Sequence, residues 1–553
     1  MRFRHILISA RASRLLAAVR VKFLRHLRRA AMVLCLSQIL TVSLAQTGLH
    51  IQVGQNFTGS DNTESSITPA DGNGAIGPKH YVEFINGEFA IYSKTNGQRL
   101  RRISDLQFWA NASVVISSDT AISDPRVIYD PSSQRWFASQ VDFNSAVSDP
   151  TTWANNFLIA ISDTPDPTGS WHGKSFTADP DTGFFADFPT LGVDGKALYI
   201  SGDMFMDGST SVGPSLWSIP KADLLLNTTP AIITNATWYG VMNYADHGQV
   251  LQPATCVDGS SSGDILAAMS IESGDTLILS KVLNGNTTNA LLTDSTKVAV
   301  DPYSFPIDPK QPDGTATLAD NDARLSARVY TVGGVMFAVQ SIEVDSRAAI
   351  RWYRISATNQ TLLESGTITD PDLDLFFPSI AANIGGVIVI GCNGSSLHRA
   401  VSSFAYAGLT VNGVTTFNGP QELRAGTIGN YHDFNELFGG FPESRWGDYS
   451  ATTPDPMDPS RFWTIQMLPL TSNNWATQIT EILVQPPLSI VPSDTSVTLS
   501  WPIFAVNYQL QTSTDPTGPW SPVLLAPAKI GDLFTMTFPQ NGVQQFFRLA
   551  EPK

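Results

Sequence analysis

Short apolar runs recur along most of this 553-residue chain, and Gly, Asp, Asn or Pro residues separate them. Apolar and polar positions alternate within many runs, which predicts β-strands, whereas helical periodicity of useful length is almost absent. A six-residue pattern that begins with Pro marks four of these strands, with copies starting at Pro125, Pro189, Pro253 and Pro378. The first three copies are spaced 64 residues apart. That spacing suits a four-stranded propeller blade with long loops.

Three weaker copies of the pattern begin at Gly72, Ser326 and Ser450. Together the seven units predict an all-β fold, a seven-bladed β-propeller with six or eight blades as the alternatives. Sheets that close in a ring leave few exposed strand edges, which removes the aggregation hazard of an all-β chain. An array of β-sandwiches is the competing architecture, and the regular spacing favours the ring.

The chain divides into four predicted segments. Residues 1–45 have nine basic residues and no acidic one, followed by an apolar run that ends in Ser-Leu-Ala. This is the pattern of a secretory signal peptide, with cleavage before Gln46. Residues 46–69 are polar and predict a flexible lead-in, and residues 70–485 predict the β-propeller. Residues 486–553, which follow Gln485 and two prolines, predict a small antiparallel β-sandwich.

Without the leader, 25 basic residues stand against 49 acidic ones. Such an acidic chain repels nucleic acid and anionic membranes, and no other apolar run is long enough to span a bilayer. We therefore expect a monomeric protein, secreted or at the cell surface, whose partner is an extracellular glycan or protein. Only Cys256 and Cys392 remain, and we expect both to be buried thiols.

The residues Ser162, Asp166, Gly169 and Trp171 resemble the Asp-box of sialidase-type propellers. In such a turn the Asp caps backbone donors, the Gly supplies a positive φ and the Trp packs under the hairpin. The same pattern recurs at residues 513–520. We interpret these four residues as structural, so they are evidence for the fold and do not predict catalysis.

Candidate site residues are those that precede the first strand of each unit, because these strand ends surround the central channel of a propeller. They could bind a metal ion such as Ca²⁺, a sugar or a carboxylate, and they could equally cap turns and link neighbouring blades. With a histidine from a nearby loop, the candidates are Asp71, Asp124, Arg126, Asp187, Arg324, His432, Arg445, Asp448 and Tyr449.

The segment 445–450, Arg-Trp-Gly-Asp-Tyr-Ser, is the densest group of candidates. A Tyr activated by a nearby acid, with arginines that hold a carboxylate, would be the chemistry of a sialidase-like glycosidase. His432, beside Asp433, is a candidate acid or base. Only three arginines fall near the expected mouth, and nucleophile-elbow, zinc-helix, phosphate-loop and dinucleotide motifs are lacking. Catalytic residues and metal ligands therefore stay unassigned.

Several longer motifs resemble those of a family of large secreted bacterial proteins that has no established biochemical activity. These motifs lie at residues 71–82, 124–131, 135–136, 187–192 and 445–450. The resemblance spans residues 69–483 and implies a propeller-like fold, with Phe188 at a position where Tyr is common. The C-terminal segment resembles fibronectin-III-like modules, in the motifs at 497–501, 508–511 and 546–549. Such modules imply a spacer or surface-retention element, with glycan binding as the alternative. No catalytic residues are defined for the family, so none is implied here.

Three functions remain open. We favour binding of a glycan or protein at the channel mouth without turnover, which should place exposed Trp or Tyr side chains there. A carbohydrate-active enzyme, either a sialidase-like glycoside hydrolase or a polysaccharide lyase, is the alternative. A hydrolase would need two carboxyl groups about 5–9.5 Å apart in a deep pocket. A structural surface or matrix protein is the second alternative, and its mouth should have every acid satisfied by backbone or Arg.

Overall fold

The computed structural model describes residues 49–144, 154–206, 210–314, 316–433, 443–540 and 544–551. The predicted signal peptide, residues 1–45, lies outside these ranges. Within them the chain is all-β, with a few short helices. Seven antiparallel sheets of four or five strands follow one another between residues 50 and 485 of the described chain.

The strands are numbered in chain order, and β1 (His50–Asp61) belongs to the seventh sheet. The first sheet consists of β2 (Asn73–Ile76), β3 (His80–Ile85), β4 (Glu88–Ser93) and β5 (Arg99–Ser104). The second consists of β6 (Thr120–Asp130), β7 (Arg135–Asn144), β8 (Asn156–Ser162) and β9 (Trp171–Thr177). The third consists of β10 (Phe185–Val193), β11 (Ala197–Phe205), β12 (Ser211–Pro220) and β13 (Thr237–Val241).

The fourth sheet has five strands, β14 (Gln249–Pro253), β15 (Asp264–Ala268), β16 (Ser273–Leu283), β17 (Leu291–Leu292) and β18 (Thr296–Ser304). After it, β19 (Thr317–Leu318) pairs in parallel with β28 (Glu443–Ser444). The fifth sheet consists of β20 (Tyr330–Val332), β21 (Val335–Val344), β22 (Arg347–Ser356) and β23 (Thr361–Ile368). The sixth consists of β24 (Asp374–Ala382), β25 (Val387–Ser396), β26 (Arg399–Val411) and β27 (Val414–Arg424). The seventh joins β29 (Ala451–Pro454), β30 (Arg461–Pro469) and β31 (Trp475–Gln485) to β1.

The first strands of successive sheets contact one another around a closed circuit. Contacts join β2 to β6, β6 to β10, and β10 to β14, and further on they join β24 to β29 and β29 back to β2. A bridge between Thr255 and Tyr330 connects the fourth sheet to the fifth, and β20 contacts β24. Apolar side chains fill the space between neighbouring sheets, such as Phe89, Trp109 and Trp136 between the first and second. The arrangement is propeller-like.

The seventh sheet combines the beginning and the end of this region, because β1 pairs antiparallel with β31. The prediction of a flexible lead-in over residues 46–69 is therefore wrong for residues 50–61. The strand was missed because its sequence is mostly polar, and it lies at the outer edge of the sheet, where one face meets solvent. Helix α1 (Asn62–Ser65) follows directly, capped by the Asp61 carboxylate.

The other helices lie in connections between strands and are short. They are α2 (Asp105–Asn111), α3 (Lys221–Leu224) and α4 (Tyr244–His247). Helix α2 begins after Ser104, whose hydroxyl accepts a hydrogen bond from the Gln107 amide, as an N-cap serine should. No helix in the described ranges has the length and apolar character needed to cross a membrane.

Two small antiparallel sheets follow residue 485. One contains β32 (Ser489–Pro492), β33 (Ser496–Pro502), β36 (Ala528–Ile530) and β37 (Leu533–Pro539), and the other contains β34 (Gln509–Ser513), β35 (Ser521–Pro522) and β38 (Phe546–Ala550). Leu499, Trp501 and Met536 of the first sheet pack with Leu510 of the second. A 3-10 turn at Ile503–Ala505 brings Phe504 into the core of the sixth sheet.

The six-residue pattern has the same position relative to the positive-φ residue in only three of the four sheets that contain it. Pro125, Pro189 and Pro378 each follow directly a residue with positive φ, whereas Pro253 stands three residues after Val250, the positive-φ residue of its sheet. None of the four prolines begins its strand: Pro125, Pro189 and Pro378 lie inside β6, β10 and β24, and Pro253 is the last residue of β14. The third copy is therefore displaced by two residues, and the even 64-residue spacing does not describe the structure there.

The Asp-box-like turn connects β8 to β9 at the outer side of the second sheet. The Ser162 hydroxyl accepts a hydrogen bond from the Trp136 amide, and the Asp166 carboxylate accepts one from the Thr168 amide. Trp171 is buried and packs against aromatic side chains of the first sheet. Gly169, however, does not have the positive φ that the sequence predicted. These contacts agree with a structural role for the turn.

Candidate functional site

One residue with positive φ lies at or before the first strand of each of the seven sheets. They are Asp71, Asp124, Phe188, Val250, Asn321, Phe377 and Gly447. The six that are not glycine have φ between 45° and 59°, a left-handed conformation that is disfavoured for L-residues and rare for bulky or β-branched ones. Such strain costs on the order of 1–3 kcal/mol per residue and clusters at functional sites.

Four of these positions coincide with irregularities in strand pairing. The register shifts between Ser123 and Arg126 in the second sheet, and equivalent shifts occur in the third, fourth and sixth sheets. A bulge bends a strand and re-aims its side chains. We call the end of the ring at which these seven residues lie the mouth.

Charged side chains of residues that are far apart in sequence lie together at the mouth. Six carboxyl groups and three guanidinium groups influence one another there, from Asp71, Asp124, Asp187, Asp203, Asp322, Asp448, Arg126, Arg324 and Arg445. The structure thus brings together eight of the nine sequence candidates, including Tyr449. Carboxyl groups outnumber guanidinium groups there, so the net charge of the mouth depends on which carboxyl groups are protonated.

Three of these acids form what we call the acidic triangle: Asp71, Asp124 and Asp448. Each offers a carboxylate oxygen, and the three oxygens lie within 4.8 Å of one another. Asp71 accepts hydrogen bonds from the Asn86 amide group at 2.7 Å and from the Asp448 backbone amide at 2.8 Å. No described group within hydrogen-bonding distance donates to the Asp124 carboxylate, although that residue is only 6% exposed.

The environment divides the acidic triangle into protonated and ionised members. Burial, together with the nearby Asp448 carboxylate, raises the pKa of Asp71 to about 7. Burial and the neighbouring carboxylates of Asp187 and Asp71 raise the pKa of Asp124 well above its ordinary value. Asp448 differs: burial alone would raise its pKa, but the Arg445 and Arg324 guanidiniums hold it below its usual range. At neutral pH, Asp448 is therefore ionised, Asp71 is about half protonated, and burial favours the protonated form of Asp124.

Arg126 is buried near two acids of the triangle, Asp124 and Asp71. Its Nε donates to the Pro189 carbonyl at 2.9 Å, and its guanidinium carbon lies 3.3 Å from the centre of the Tyr449 ring. The same guanidinium faces Phe188 at 5.1 Å. Its Nη2 is buried and finds no hydrogen-bond partner among the described residues. Arg126 thus links β6, the start of β10 and the segment before β29.

Tyr449 cannot serve as the activated nucleophile that the sequence suggested. The residue is buried, and its hydroxyl donates to the Pro125 carbonyl at 3.0 Å. Burial raises the pKa of Tyr449 well above 10, so the phenol stays protonated. Its ring packs edge-on against Phe188 and under Arg126. These contacts give Tyr449 a structural role at the mouth.

We expect Tyr449→Phe to lower the free energy of unfolding by about 0.5–1.5 kcal/mol, since the Pro125 carbonyl would lose its buried donor. Tyr406→Phe is the matched control, because the Tyr406 hydroxyl is buried without a hydrogen-bond partner among the described residues. Its removal should leave stability unchanged or slightly higher. Urea unfolding followed by tryptophan fluorescence measures both variants. Equal effects of the two substitutions would contradict the assigned role of Tyr449.

Four charged residues form what we call the exposed rim of the mouth: Asp187, Arg324, Arg445 and Asp448. The Arg445 side chain is 37% exposed and donates to the Asp448 carboxylate at 2.7 Å. Arg324 is 20% exposed and makes a two-pronged contact with Asp322. Burial, together with the Asp448 carboxylate, raises the pKa of Asp187. The rim is the part of the mouth that a large ligand can reach.

The structure places the aromatic and histidine candidates of the mouth differently from the sequence expectations. Trp446 and Tyr449 are both buried in the core, whereas half-exposed Tyr244, which the sequence did not indicate, donates to the Asp203 carboxylate at 3.1 Å. His432 was expected among the mouth residues, but its Nε2 contacts the Asp313 carboxylate at 3.0 Å and its backbone amide donates to the Ser472 carbonyl. None of these partners belongs to the mouth. His432 precedes the gap at residues 434–442 in the described chain.

Sequence reasoning missed three residues that organise the mouth. Asn86 donates to Asp71 and accepts from the Asp124 backbone amide, so one side chain fixes two acids. Asn321 donates to Asp448 and accepts from Arg445. Asp203 lies directly opposite Asp187 in the pairing of β10 with β11, and burial raises its pKa to about 6. Only the cross-strand register could have pointed to Asp203, and no sequence signal marks the asparagines.

The acidic triangle offers three of the six to eight oxygen ligands that a calcium ion takes. Ca²⁺ binds oxygen ligands at about 2.3–2.6 Å, so two ligand oxygens on one ion are at most about 5 Å apart. The triangle oxygens satisfy this limit. Asp71 and Asp124 are too buried for a sugar ring to reach, whereas a single ion is small enough to be enclosed there.

No protein-family model matches the chain, and no curated protein matches it in sequence. Similar solved structures include a protein of unknown function from Dyadobacter fermentans, at 9% identity and a TM-score of 0.37, covering 67% of this chain and 96% of that one. An exo-beta-1,3-galactanase from Clostridium thermocellum is 9% identical, with a TM-score of 0.32 over 90% of this chain and 78% of the other. Drosophila Semaphorin 1b is 8% identical, with a TM-score of 0.33 over 78% of this chain and 87% of the other. Likeness at this level says nothing about the chemistry of the mouth.

Proposed function

We propose that this chain is an exported, monomeric, seven-bladed β-propeller with a fibronectin-III-like module at its C-terminus. It binds an extracellular glycan or protein at the mouth and does not turn it over. The seven sheets between residues 50 and 485 are the blades, and the two small sheets after residue 485 are the module. Calcium in the acidic triangle belongs to this proposal, as the ion that balances the carboxylates beneath the ligand.

The observation that carries the proposal is the exposed rim. Its charges come from three segments that are far apart in sequence, and Arg324, Arg445 and Asp448 are held by hydrogen bonds or ion pairs before any ligand arrives. A preorganised set of groups loses little conformational entropy on binding, which raises affinity. Carboxylates and guanidiniums side by side can accept from and donate to the hydroxyls of a glycan or the polar groups of a protein surface.

We expect Arg445→Gln to weaken binding to the best ligand from a glycan array by at least tenfold, because the rim loses its most exposed donor. Arg424→Gln is the matched control. Arg424 is exposed at the end of β27, the outer strand of the sixth sheet, and its loss should leave affinity unchanged. Isothermal titration calorimetry on the purified protein measures both, with melting temperatures to verify folding.

The outcomes separate the three functions. If the two variants bind the ligand with equal affinity, the ligand does not bind at the mouth, and the C-terminal module is the next region to test. The absence of any glycan or protein ligand would favour the structural surface protein, for which the many satisfied polar groups at the mouth are the supporting observation. Chromatography of each bound glycan after incubation with the protein tests turnover, and we expect the glycan to be recovered intact.

A carbohydrate-active enzyme remains the second candidate because of one observation. Asp71 and Asp448 are neighbours whose pKa values are moved in opposite directions, which is the arrangement of a general acid beside a carboxylate base or nucleophile. The burial of Asp71 opposes this function, since a glycosidic oxygen would have to reach that carboxyl group. Release of sugar by the wild-type protein and its loss in Asp448→Asn would establish the enzyme.

A further inference from the structure

A cavity of about 330 Å³ lies at the end of the ring opposite the mouth. Its walls include Ile76 of β2 and Tyr129 of β6, each five residues beyond Asp71 and Asp124 of the mouth. Because a strand rises about 3.3 Å per residue, roughly 16 Å of strand separates the two regions. The cavity is therefore distinct from the acidic mouth, and its volume is in the range of small-molecule sites.

The wall of this cavity is mostly apolar. Ile76, Ile128 and Val332, which belong to three different sheets, lie at its surface. Two large apolar side chains at its rim are strongly exposed, Ile384 by 74% and Met457 by 63%. Apolar side chains left in water around a concave site indicate a surface that a ligand covers.

One cation lies among these apolar groups without an acidic partner. Arg328 donates from Nη2 to the Val127 carbonyl at 2.7 Å and from Nη1 to the Tyr330 hydroxyl at 3.2 Å. A guanidinium has five N–H donors, so three remain for other acceptors. Of the ion pairs among the described residues, none includes Arg328. Its positive charge is therefore available to a ligand.

A second polar group at the cavity also lacks a partner. The Thr255 hydroxyl is buried, its residue is only 2% exposed, and it makes no hydrogen bond within the described chain. A buried hydroxyl without a partner costs about 1–3 kcal/mol, which a bound acceptor would recover. Two acids also line the cavity: Asp455 pairs with Lys94, and Asp258 accepts hydrogen bonds from the Ser260 and Gly333 amides, which lower its pKa and keep it ionised.

We propose that this cavity binds a small amphipathic carboxylate, with its head on Arg328 and Thr255 and its apolar body against Ile76, Ile128 and Val332. A guanidinium pairs with a carboxylate through parallel hydrogen bonds, and the Thr255 hydroxyl supplies a further donor. A strongly hydrated anion such as phosphate would lose its water shell against the apolar wall without compensation, and a cation would be repelled by Arg328. This proposal does not depend on the function proposed for the mouth.

Calorimetric titration of the purified protein with octanoate and benzoate, and with 1-octanol and benzyl alcohol as neutral counterparts, tests the charge requirement. We expect at least one carboxylate to bind tenfold or more tightly than its alcohol. The Arg328→Met substitution should weaken the binding of that carboxylate by at least tenfold and leave the affinity for the alcohol unchanged. Failure of both carboxylates to bind at millimolar concentration would overturn the proposal, as would equal binding of acid and alcohol.

A second pair of variants avoids the hydrogen bonds that Arg328 makes within the protein. Ile384→Glu places a negative charge at the exposed rim, and Ile384→Gln is the matched neutral substitution. Both should fold with wild-type melting temperatures, because Ile384 is largely in solvent. We expect the Glu variant to bind the carboxylate several-fold more weakly than the Gln variant. Equal affinities in the two variants would contradict a carboxylate in this cavity.

Discussion

Replacing Arg126 by Met should lower the free energy of unfolding by about 1–3 kcal/mol, because the buried Pro189 carbonyl would lose a charged donor and the Tyr449 ring would lose its cation. Met keeps most of the apolar stem but removes the guanidinium that contacts the Pro189 carbonyl and the Tyr449 ring. It also removes the cation that lowers the pKa of the buried Asp124. Urea unfolding followed by tryptophan fluorescence measures the effect.

The Asp124→Asn substitution turns this prediction into a double-mutant cycle. Asparagine has nearly the same shape, tolerates the positive φ of residue 124 and carries no charge that needs a cation. Because burial favours the protonated, neutral form of Asp124, we expect the costs of the two substitutions to be nearly additive at neutral pH. A cost of Arg126→Met that is lower by about 1 kcal/mol or more in the Asp124→Asn background would show that Asp124 is ionised beside Arg126. Arg424→Met, at an exposed position, serves as the control for loss of charge.

The role of Arg126 shows what the sequence could predict and what it could not. The sequence predicts that Arg126 lies near the mouth, because Arg126 directly follows Pro125 in the recurring six-residue pattern. Its contact with Tyr449 joins residues 323 positions apart and depends on how the sheets close in a ring. The recurring pattern predicts which segments form the first strand of a sheet, whereas only the closed ring determines which of their residues meet.

The backbone at the mouth was beyond prediction for a different reason. Positive φ is expected at glycine, yet six of the seven positions carry Asp, Phe, Val or Asn. In three sheets the strained residue directly precedes a proline, which sequence rules associate with extended backbone. The displacement of the copy at Pro253 could not be predicted either. The positive-φ residue of that sheet is Val250, and a valine gives no sequence signal for such a backbone conformation. The all-β class, in contrast, was readable because short apolar strands separated by turn residues recur in every sheet.

Calcium should change the pH dependence of stability, and the acidic triangle determines the sign. The pKa of Asp71 is about 7 in the folded protein and near 3.9 in the unfolded chain. Between these values the unfolded state has released a proton that the folded state retains, so stability falls as pH rises. Asp71 alone accounts for on the order of 4 kcal/mol by pH 8. Asp124, whose pKa is also raised, adds to the same trend.

A bound Ca²⁺ would reverse that penalty, because it stabilises the ionised carboxylates that burial disfavours. We expect 1 mM calcium to leave the melting temperature at pH 4.5 unchanged and to raise it by a few degrees at pH 8. At a concentration a hundredfold above Kd, ligand binding adds about 2.7 kcal/mol to stability. Magnesium should act more weakly, since it demands octahedral geometry and retains its waters. Differential scanning calorimetry in chelator, calcium and magnesium measures these shifts.

The Asp124→Asn substitution tests whether the acidic triangle, and not another carboxyl group, causes the pH dependence and the calcium response. In chelator the variant should be more stable than the wild type at pH 8 and equal to it near pH 4, because it removes a charge that the folded state disfavours. It should also lose most of the calcium response. Asp372→Asn removes an exposed carboxylate and should follow the wild type under all conditions. Parallel pH curves for the wild type and Asp124→Asn, with the same calcium shift, would exclude the acidic triangle as a calcium site. If the stability of Asp124→Asn rises with pH while that of the wild type falls, the three carboxyl groups of the triangle titrate as a coupled group.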